Sequence, residues 1–262
     1  MDILNAFILG IVEGITEFLP VSSTGHLILA GDLLGFNDER AKVFEVFIQL
    51  GAILAVVWLY RERVLSSIKG VGTEKANRFL LNLLIAFLPA AFFGFFAHSF
   101  IKRYLFNPVT VASALIAGGI AILIIERLVK GGQVNDIDDI SPKRAFFIGL
   151  AQVLSLFPGV SRAGATIMGG ICSRLSRKTA TEFSFFLAIP TMFAATSYDL
   201  WKNFALLNTG DFLFFAVGFI TSFFSALVVI KAFLNFVSTY NFTSFAIYRV
   251  TFGAIVLLYY LS

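Results

Sequence analysis

Apolar residues run along the 262-residue chain in long stretches separated by short polar ones. Six stretches, at about 43–60, 79–99, 108–126, 181–200, 212–234 and 243–261, approach the roughly 20 apolar residues that a bilayer-spanning helix needs. Two more, 3–35 and 145–175, are cut in the middle. The first is interrupted by Leu19-Pro20-Val21-Ser22-Ser23-Thr24-Gly25, the second by Pro158-Gly159-Val160-Ser161-Arg162-Ala163-Gly164. Their arms, about 10 to 17 residues long, suit re-entrant segments better than crossings. Pro and Gly break helices, and non-helical backbone at membrane depth needs protein or a water-filled cavity around it. The pattern predicts an all-α polytopic membrane protein, a single membrane domain over 1–262. It comprises six transmembrane helices and two re-entrant helical hairpins.

The interrupted stretches also resemble each other. An ungapped shift of 139 residues sets Gly10 on Gly149, Phe18 on Phe157, Ser22 on Ser161, Gly25 on Gly164, Ile28 on Ile167 and Gly31 on Gly170. It then sets Phe44 on Phe183, Phe47 on Phe186 and Ala55 on Ala194. Each half therefore reads as a hairpin followed by three spans, in internal repeats of about 1–126 and 140–262. Three crossings per half is an odd number, so the second copy is inverted. In inverted repeats the interrupted helices meet near the midplane and mark the site.

Composition agrees: 58% of residues are apolar and only 14% charged, with mean hydropathy +0.87, against about 25% charged in an ordinary soluble domain. Disorder, a collagen-like repeat and a nucleic-acid partner are excluded on these grounds. Cys172 is the single cysteine and His26 and His98 the only histidines, so neither an intrachain disulfide nor a His-rich metal site is available. No Lys or Arg precedes Arg40, so no cleavable signal peptide is expected. Lys and Arg gather on one predicted side: Arg61, Arg63, Lys69, Lys75, Arg78, Arg127, Lys130, Lys143, Arg144, Arg174, Arg177 and Lys178. The other side receives Arg40, Lys42, Lys102, Arg103 and Lys202. The richer side is expected to be cytoplasmic, with the first hairpin dipping in from outside.

The chemistry-bearing residues sit in the hairpins. Glu13 and Glu17, at i and i+4, share one helical face. Two like charges at membrane depth need a metal, a proton or a base. They are either a pair of interhelical hydrogen-bonding acids or ligands and acid–base groups for a divalent cation, Mg2+ or Ca2+. Such hard ions take carboxylate oxygens, and Mg2+ commonly uses one or two of them plus phosphate. At the tip follow Ser22, Ser23 and Thr24, with His26 one turn on. A Ser run suits helix capping, and His26 suits a satisfied interior histidine. Ser23 with His26 at i+3 also has the pattern of a hydroxyl beside an activating base. The second tip supplies Arg162, whose planar fork suits phosphate oxygens, at the start of a helix whose free N–H groups favour an anion. The simpler alternative is a salt bridge from Arg162 to Glu13 or Glu17. Glu45, Gln49, Glu182, Asp199 and Arg249 lie in or near spans and could pair among themselves. Asp32 and His98 are placed near interfaces. The loop 131–141, with Asp136, Asp138 and Asp139, reads as a solvated linker, and the 32 Phe residues as packing and lipid-facing material.

At these residues the sequence resembles the undecaprenyl-diphosphate phosphatase family, the membrane enzymes associated with bacitracin resistance. Glu13-Gly-Ile-Thr-Glu17-Phe-Leu-Pro-Val-Ser-Ser-Thr-Gly-His26 and Pro158-Gly-Val-Ser-Arg-Ala-Gly-Ala-Thr166 carry the resemblance. Phe44-Glu-Val-Phe-Ile-Gln-Leu-Gly51, Glu182-Phe-Ser-Phe and Phe245-Ala-Ile-Tyr-Arg249 support it. The resemblance implies an inverted repeat with re-entrant hairpins, divalent-cation dependence, and hydrolysis of undecaprenyl diphosphate to the monophosphate carrier lipid, recycled for cell-wall synthesis. The family's second motif usually has Ser directly after the Arg; here that position is Ala163, and restoring the hydroxyl is expected to give a modest gain.

The expected assignment follows. Glu17, Ser23, His26 and Arg162 are catalytic. Ser22, Gly159, Ser161, Arg162, Gly164 and Thr166 bind the substrate, and Glu13 and Glu17 hold the metal. Ser23, with His26 handling the proton, or an activated water attacks the terminal phosphorus. The partners are a polyprenyl diphosphate and the bilayer, with a homodimer left open. The location is a bacterial cytoplasmic (inner) membrane, the site open to its outer face. A secondary transporter or lipid-phosphate flippase is the alternative, since broken helices in inverted repeats also suit alternating access.

Overall fold

The computed structural model describes residues 2–36, 39–129, 132–203 and 211–261, apart from the side chains of 39, 98–100, 102 and 103. The readings made of His98, Lys102, Arg103 and Lys130 fall outside these. The described chain is helical throughout: α1 (Ile3–Thr16), α2 (Ser23–Leu33), α3 (Glu39–Leu59), α4 (Arg61–Lys69), α5 (Glu74–Tyr104) and α6 (Pro108–Leu128) make its first part. α7 (Pro142–Val153), α8 (Arg162–Cys172), α9 (Arg177–Lys202), α10 (Phe212–Thr239) and α11 (Thr243–Leu261) make the rest. Among the described residues, extended pairing is confined to one bridge, Val134 with Leu175.

Five helices are long and apolar enough to cross a membrane: Arg40–Leu59, Glu74–Ala97, Pro108–Leu128, Phe212–Thr239 and Thr243–Leu261. The sixth predicted crossing, 181–200, lies within α9, which has 26 residues. It is diluted by Thr181, Glu182, Ser184, Thr191, Thr196 and Asp199. The reason is position: Thr181, Ser184 and Thr196 are fully buried, and polar groups at membrane depth are found facing a bundle interior. Large apolar side chains stay exposed on other helices, among them Phe92, Phe95 and Phe96 of α5, Ile124 of α6 and Val228 of α10. Apolar exposure on that scale marks a surface that meets another apolar phase, and the protein is a multi-pass membrane protein.

Both interrupted stretches are broken helices. α1 ends at Thr16 and α2 starts at Ser23; α7 ends at Val153, a single 3-10 turn covers Leu154–Leu156, and α8 starts at Arg162. Ser22 and Ser161 directly precede α2 and α8, with φ of 72° and 75°, a left-handed backbone that non-glycine residues seldom adopt. α1 lies along α10, α7 along α5, α3 along α10, and α6 along α11. A Cβ on Gly14 would sit 2.0 Å from Ser225 Oγ and 2.4 Å from the Ser222 carbonyl. Glycine there lets α1 press onto α10.

The described part of the 131–141 loop is more than a solvated linker. Val134 and Ile140 are buried, Gln133 and Val134 donate to the Arg174 carbonyl, and Ser176 donates to that of Val134. Asp138 pairs with Arg63 and Lys75, and its carbonyl accepts from Arg78. Three cations from α4 and α5 therefore hold the connection between α6 and α7.

Candidate active site

Glu13 and Glu17 stand one turn apart at the end of α1, where the Glu17 N–H still donates to the Glu13 carbonyl at 2.9 Å. Both are buried, Glu13 completely. The chain then leaves the helix through Pro20, and Phe18 anchors the turn, edge-on to Phe185 of α9 at 5.4 Å. α2 begins at Ser23, whose hydroxyl donates to Glu17 Oε2 at 2.6 Å. The other carboxylate oxygen, Oε1, accepts from Arg162 Nη2 at 3.1 Å. Glu17 thus joins a hydroxyl of the first break to the guanidinium of the second.

Arg162 is held from several sides. Its Nη1 donates to the Ser184 carbonyl at 3.0 Å and lies 3.3 Å from the Ser184 hydroxyl. Its Cζ sits 5.6 Å from the centre of the Phe18 ring. Its buried Nε has no partner among the described residues, a donor left for an acceptor. Thr166 bonds the Arg162 carbonyl and the Ser184 hydroxyl, so it braces Arg162 from below. Ser161 Oγ caps α8 by accepting from the Gly164 N–H at 3.0 Å. Ser22, at the corresponding place, makes no such cap on α2. The amides opening α2 keep the partial positive charge of a helix start. Ala163 is fully buried in the larger apolar cluster.

The pairing of Ser23 with His26 expected from their spacing is replaced. His26 Nδ1 lies 2.8 Å from the Ser22 carbonyl, which can only accept, so Nδ1 carries the proton. Nε2 then accepts from the Tyr248 hydroxyl at 2.6 Å. The ring stacks on Phe252 at 4.2 Å. Helix-face spacing fails here because Ser23 is the first residue of α2, and its side chain turns back across the break to Glu17.

By sequence Arg249 of α11 is one of several span residues; in the structure it ties the site together. Only 1% exposed, it donates through Nη1 to the carbonyls of Pro20 (3.1 Å) and Val160 (2.9 Å). Through Nη2 it reaches Gly159 (3.0 Å) and Ala114 (3.3 Å), and through Nε Leu115 (3.3 Å). One guanidinium therefore fastens both breaks to α6. A Cβ on Gly118 would lie 2.2 Å from Arg249 Nη2, so glycine in α6 makes its berth. The sequence signal was a solitary arginine in an apolar span opposite Gly118-Gly119.

Glu13 differs from Glu17. Both its oxygens are buried without a hydrogen-bond partner among the described residues, and its charged neighbours are Glu17, Glu45 and Arg162. Among the described residues no three His, Cys, Asp or Glu side chains converge as a metal cage. An unpartnered buried carboxylate beside a second one, near a guanidinium, fits an ion that takes one or two carboxylates and completes its shell with phosphate and water. Taken together, the cluster holds a nucleophile-type hydroxyl on a carboxylate, an anion-binding guanidinium, and one carboxylate in reserve.

A sequence model of the bacitracin resistance protein BacA family matches residues 6–255. The undecaprenyl-diphosphatase of Methylobacillus flagellatus is 56% identical over 268 residues, covering 99% of this chain and all of the relative. That of Nitrosomonas eutropha is 58% identical over 256 residues, 98% of this chain and 94% of the relative. That of Methylococcus capsulatus is 53% identical over 257 residues, 98% and 94% respectively.

Proposed function

The chain belongs to the bacitracin resistance protein BacA family, and from that premise we propose that the Glu17-centred cluster is where it hydrolyses undecaprenyl diphosphate. The protein is an undecaprenyl-diphosphatase: it releases inorganic phosphate and leaves undecaprenyl phosphate, the carrier lipid of cell-wall synthesis. The observation that carries the site assignment is the chain of contacts from Ser23 through Glu17 to Arg162, which links both breaks.

Phosphoryl transfer asks for positioning and charge neutralisation more than covalent chemistry. The terminal phosphate docks on Arg162 and on the uncapped amides at the start of α2. A phosphate at Arg162 competes with Glu17 for the guanidinium and leaves Glu17 to the Ser23 proton. Ser23 Oγ bonds the terminal phosphorus, the bridging P–O bond breaks, and undecaprenyl phosphate departs with the bond's electron pair. The Ser23 proton passes to Glu17. Water then bonds the phosphorus as the P–Oγ bond breaks, Ser23 Oγ takes back the proton held by Glu17, and inorganic phosphate leaves. His26 is a positioning residue, bracing the left-handed Ser22 backbone behind the nucleophile. Glu13, with Glu17 beside it, would hold Mg2+ or Ca2+. Such an ion supplies charge neutralisation at the phosphate oxygens.

The architecture is read as two inverted repeats, with α9 as a sixth crossing and the two broken stretches as re-entrant hairpins. Support comes from the shared break with its left-handed serine, and from α2 and α8 running 11 residues each. The Lys/Arg count favours a site open to the outer face of the cytoplasmic membrane. Single cysteines at positions 37 and 132, in a variant lacking Cys172, should label oppositely with an impermeant thiol reagent in intact cells.

The deciding experiment is phosphate release from a short polyprenyl diphosphate by purified protein, with Mg2+ or Ca2+ supplied and then chelated. The expected result is release that falls on chelation and returns on adding the metal. Transport of labelled lipid into sealed liposomes without any phosphate release would overturn the assignment.

A further inference from the structure

A wide cavity lies away from this cluster. It has a volume of about 830 Å³ and runs between α6 and the α7–α8 hairpin. None of Glu13, Glu17, Ser23, His26 or Arg162 lines it. Its walls are apolar, including Ile122, Ile125, Phe147, Leu154 and Met168, and its inner end reaches Val160, Gly164 and Arg249 behind the second break. Its mouth carries Lys143, Arg144 and Arg174 with Ser141 and Ser173, and no acidic side chain lines it.

The two halves show why a cavity exists on this side. Gly119 lies against the Ala246 carbonyl and Gly253 against that of Ala112, a reciprocal contact that puts α6 and α11 in a register 134 residues apart. In that register Tyr248 and Phe252 of α11 correspond to Ala114 and Gly118 of α6. By the 139-residue shift, His26 of α2 corresponds to Ala165 of α8. Between α2 and α11 the stack of His26, Tyr248 and Phe252 fills the space. Between α8 and α6 the same three places hold two alanines and a glycine; the Arg249 guanidinium lies against Gly118, and the cavity opens beside it along Gly118 and Ala165.

We propose that this groove binds an anionic phospholipid of the bilayer. An acyl chain lies between α6 and α7, and the phosphate sits among Lys143, Arg144 and Arg174. The flanks carry exposed apolar residues of both helices, Ile120 and Ile124 on α6 and Phe146 and Leu150 on α7, so a chain passes in sideways from the bilayer. The head meets three cations beside the first turn of α7, where helix amides add positive character. Basic pockets between helices on the cytoplasmic side are the known seats of anionic headgroups, and this mouth lies on the Lys/Arg-rich side of the chain.

Cys172 provides a probe, since it is exposed and lines the groove. In detergent-purified full-length protein, phosphatidylglycerol should slow modification of Cys172 by a neutral maleimide at least about fivefold, and phosphatidylcholine should not. Native mass spectrometry should show a retained phosphatidylglycerol. Ala121→Phe, which fills the groove from its wall, should remove both effects. The exposed pair Lys143→Gln and Arg174→Gln should weaken binding about fivefold for each cation lost, and this second variant carries the test should the first fail to fold. Phosphate release should persist in both. Equal protection by phosphatidylcholine would overturn the proposal, as would protection that survives Ala121→Phe. Stronger protection by a polyprenyl monophosphate would make the groove a station for the product instead. Loss of phosphate release together with lipid binding would make it part of the catalytic site.

Discussion

The two breaks share a left-handed serine and differ in the chemistry around it. Each ends in a serine with a left-handed φ and opens an 11-residue helix. The first carries two carboxylates, the nucleophile-type hydroxyl and an uncapped helix start. The second carries the arginine, and its own serine caps the helix. One folding device has thus produced two complementary half-sites. The half that caps itself keeps its serine for the helix start and, in the proposed site, would meet the anion through a side chain. The half without such a cap would meet it through its backbone, and it commits its hydroxyl to Glu17.

That division of labour makes the serine of the first half the most sensitive position. Ser23→Ala should lower phosphate release at least about a thousandfold, in line with losing a nucleophile that acts as a unit with its base. Glu17→Gln should follow at about 10²- to 10⁴-fold, the range for a general base. If phosphate release survives both, water rather than Ser23 attacks and the first half only binds. On the second side, Arg162→Lys keeps the charge and loses the planar fork. A fall of about tenfold in kcat/KM is expected, roughly 1.4 kcal/mol; unchanged turnover would make that half structural.

Smaller effects sharpen the contrast between the paired serines. Ser161→Ala removes a cap and should cost about 1 kcal/mol of stability, read as a lower thermal midpoint in detergent. Ser22→Ala removes no cap and should leave the midpoint within about 0.5 kcal/mol. Equal losses would erase the distinction. The smallest effect belongs to the connection between the halves. Burial alone would raise the Asp138 carboxyl, but its contacts with Lys75 and Arg63 outweigh this and hold it below the usual carboxylate range. A lowered folded-state value means stability that is present above the unfolded value of about 3.9 and lost as pH falls through the folded one. Asp138→Asn should flatten that acid-side loss of stability and leave activity unchanged.

Much of this was legible in the sequence, and the remainder has identifiable reasons. Glu13, Glu17 and Arg162 stand out because ionisable groups are costly at membrane depth, and Ser23 by its spacing to His26; the structure gathers Glu17, Ser23 and Arg162. The bond from Arg162 to Glu17 was anticipated as a salt bridge. The partner of Ser23 was not, because i+3 reasoning holds along a helix and Ser23 begins one. α9 was read by length, whereas its polar positions serve the interior. Arg249 stands in the sequence among several span residues that could pair with one another; its partners are main-chain carbonyls, which no sequence displays. The groove depends on how α6 and α8 pack together, and a sequence does not display that packing.

Arg249 also bears on what the molecule can do mechanically. Alternating access requires two bodies that part and re-seat around a central site. Here one side chain is bonded at once to Pro20 of the first break and to Gly159 and Val160 of the second. Hydrogen bonds from a charged group are worth about 1.5–3 kcal/mol each. Rocking one half against the other would break several together and strand a cation in a dry interior. The centre behaves as a rivet rather than a hinge, one side chain holding the two breaks in a single arrangement.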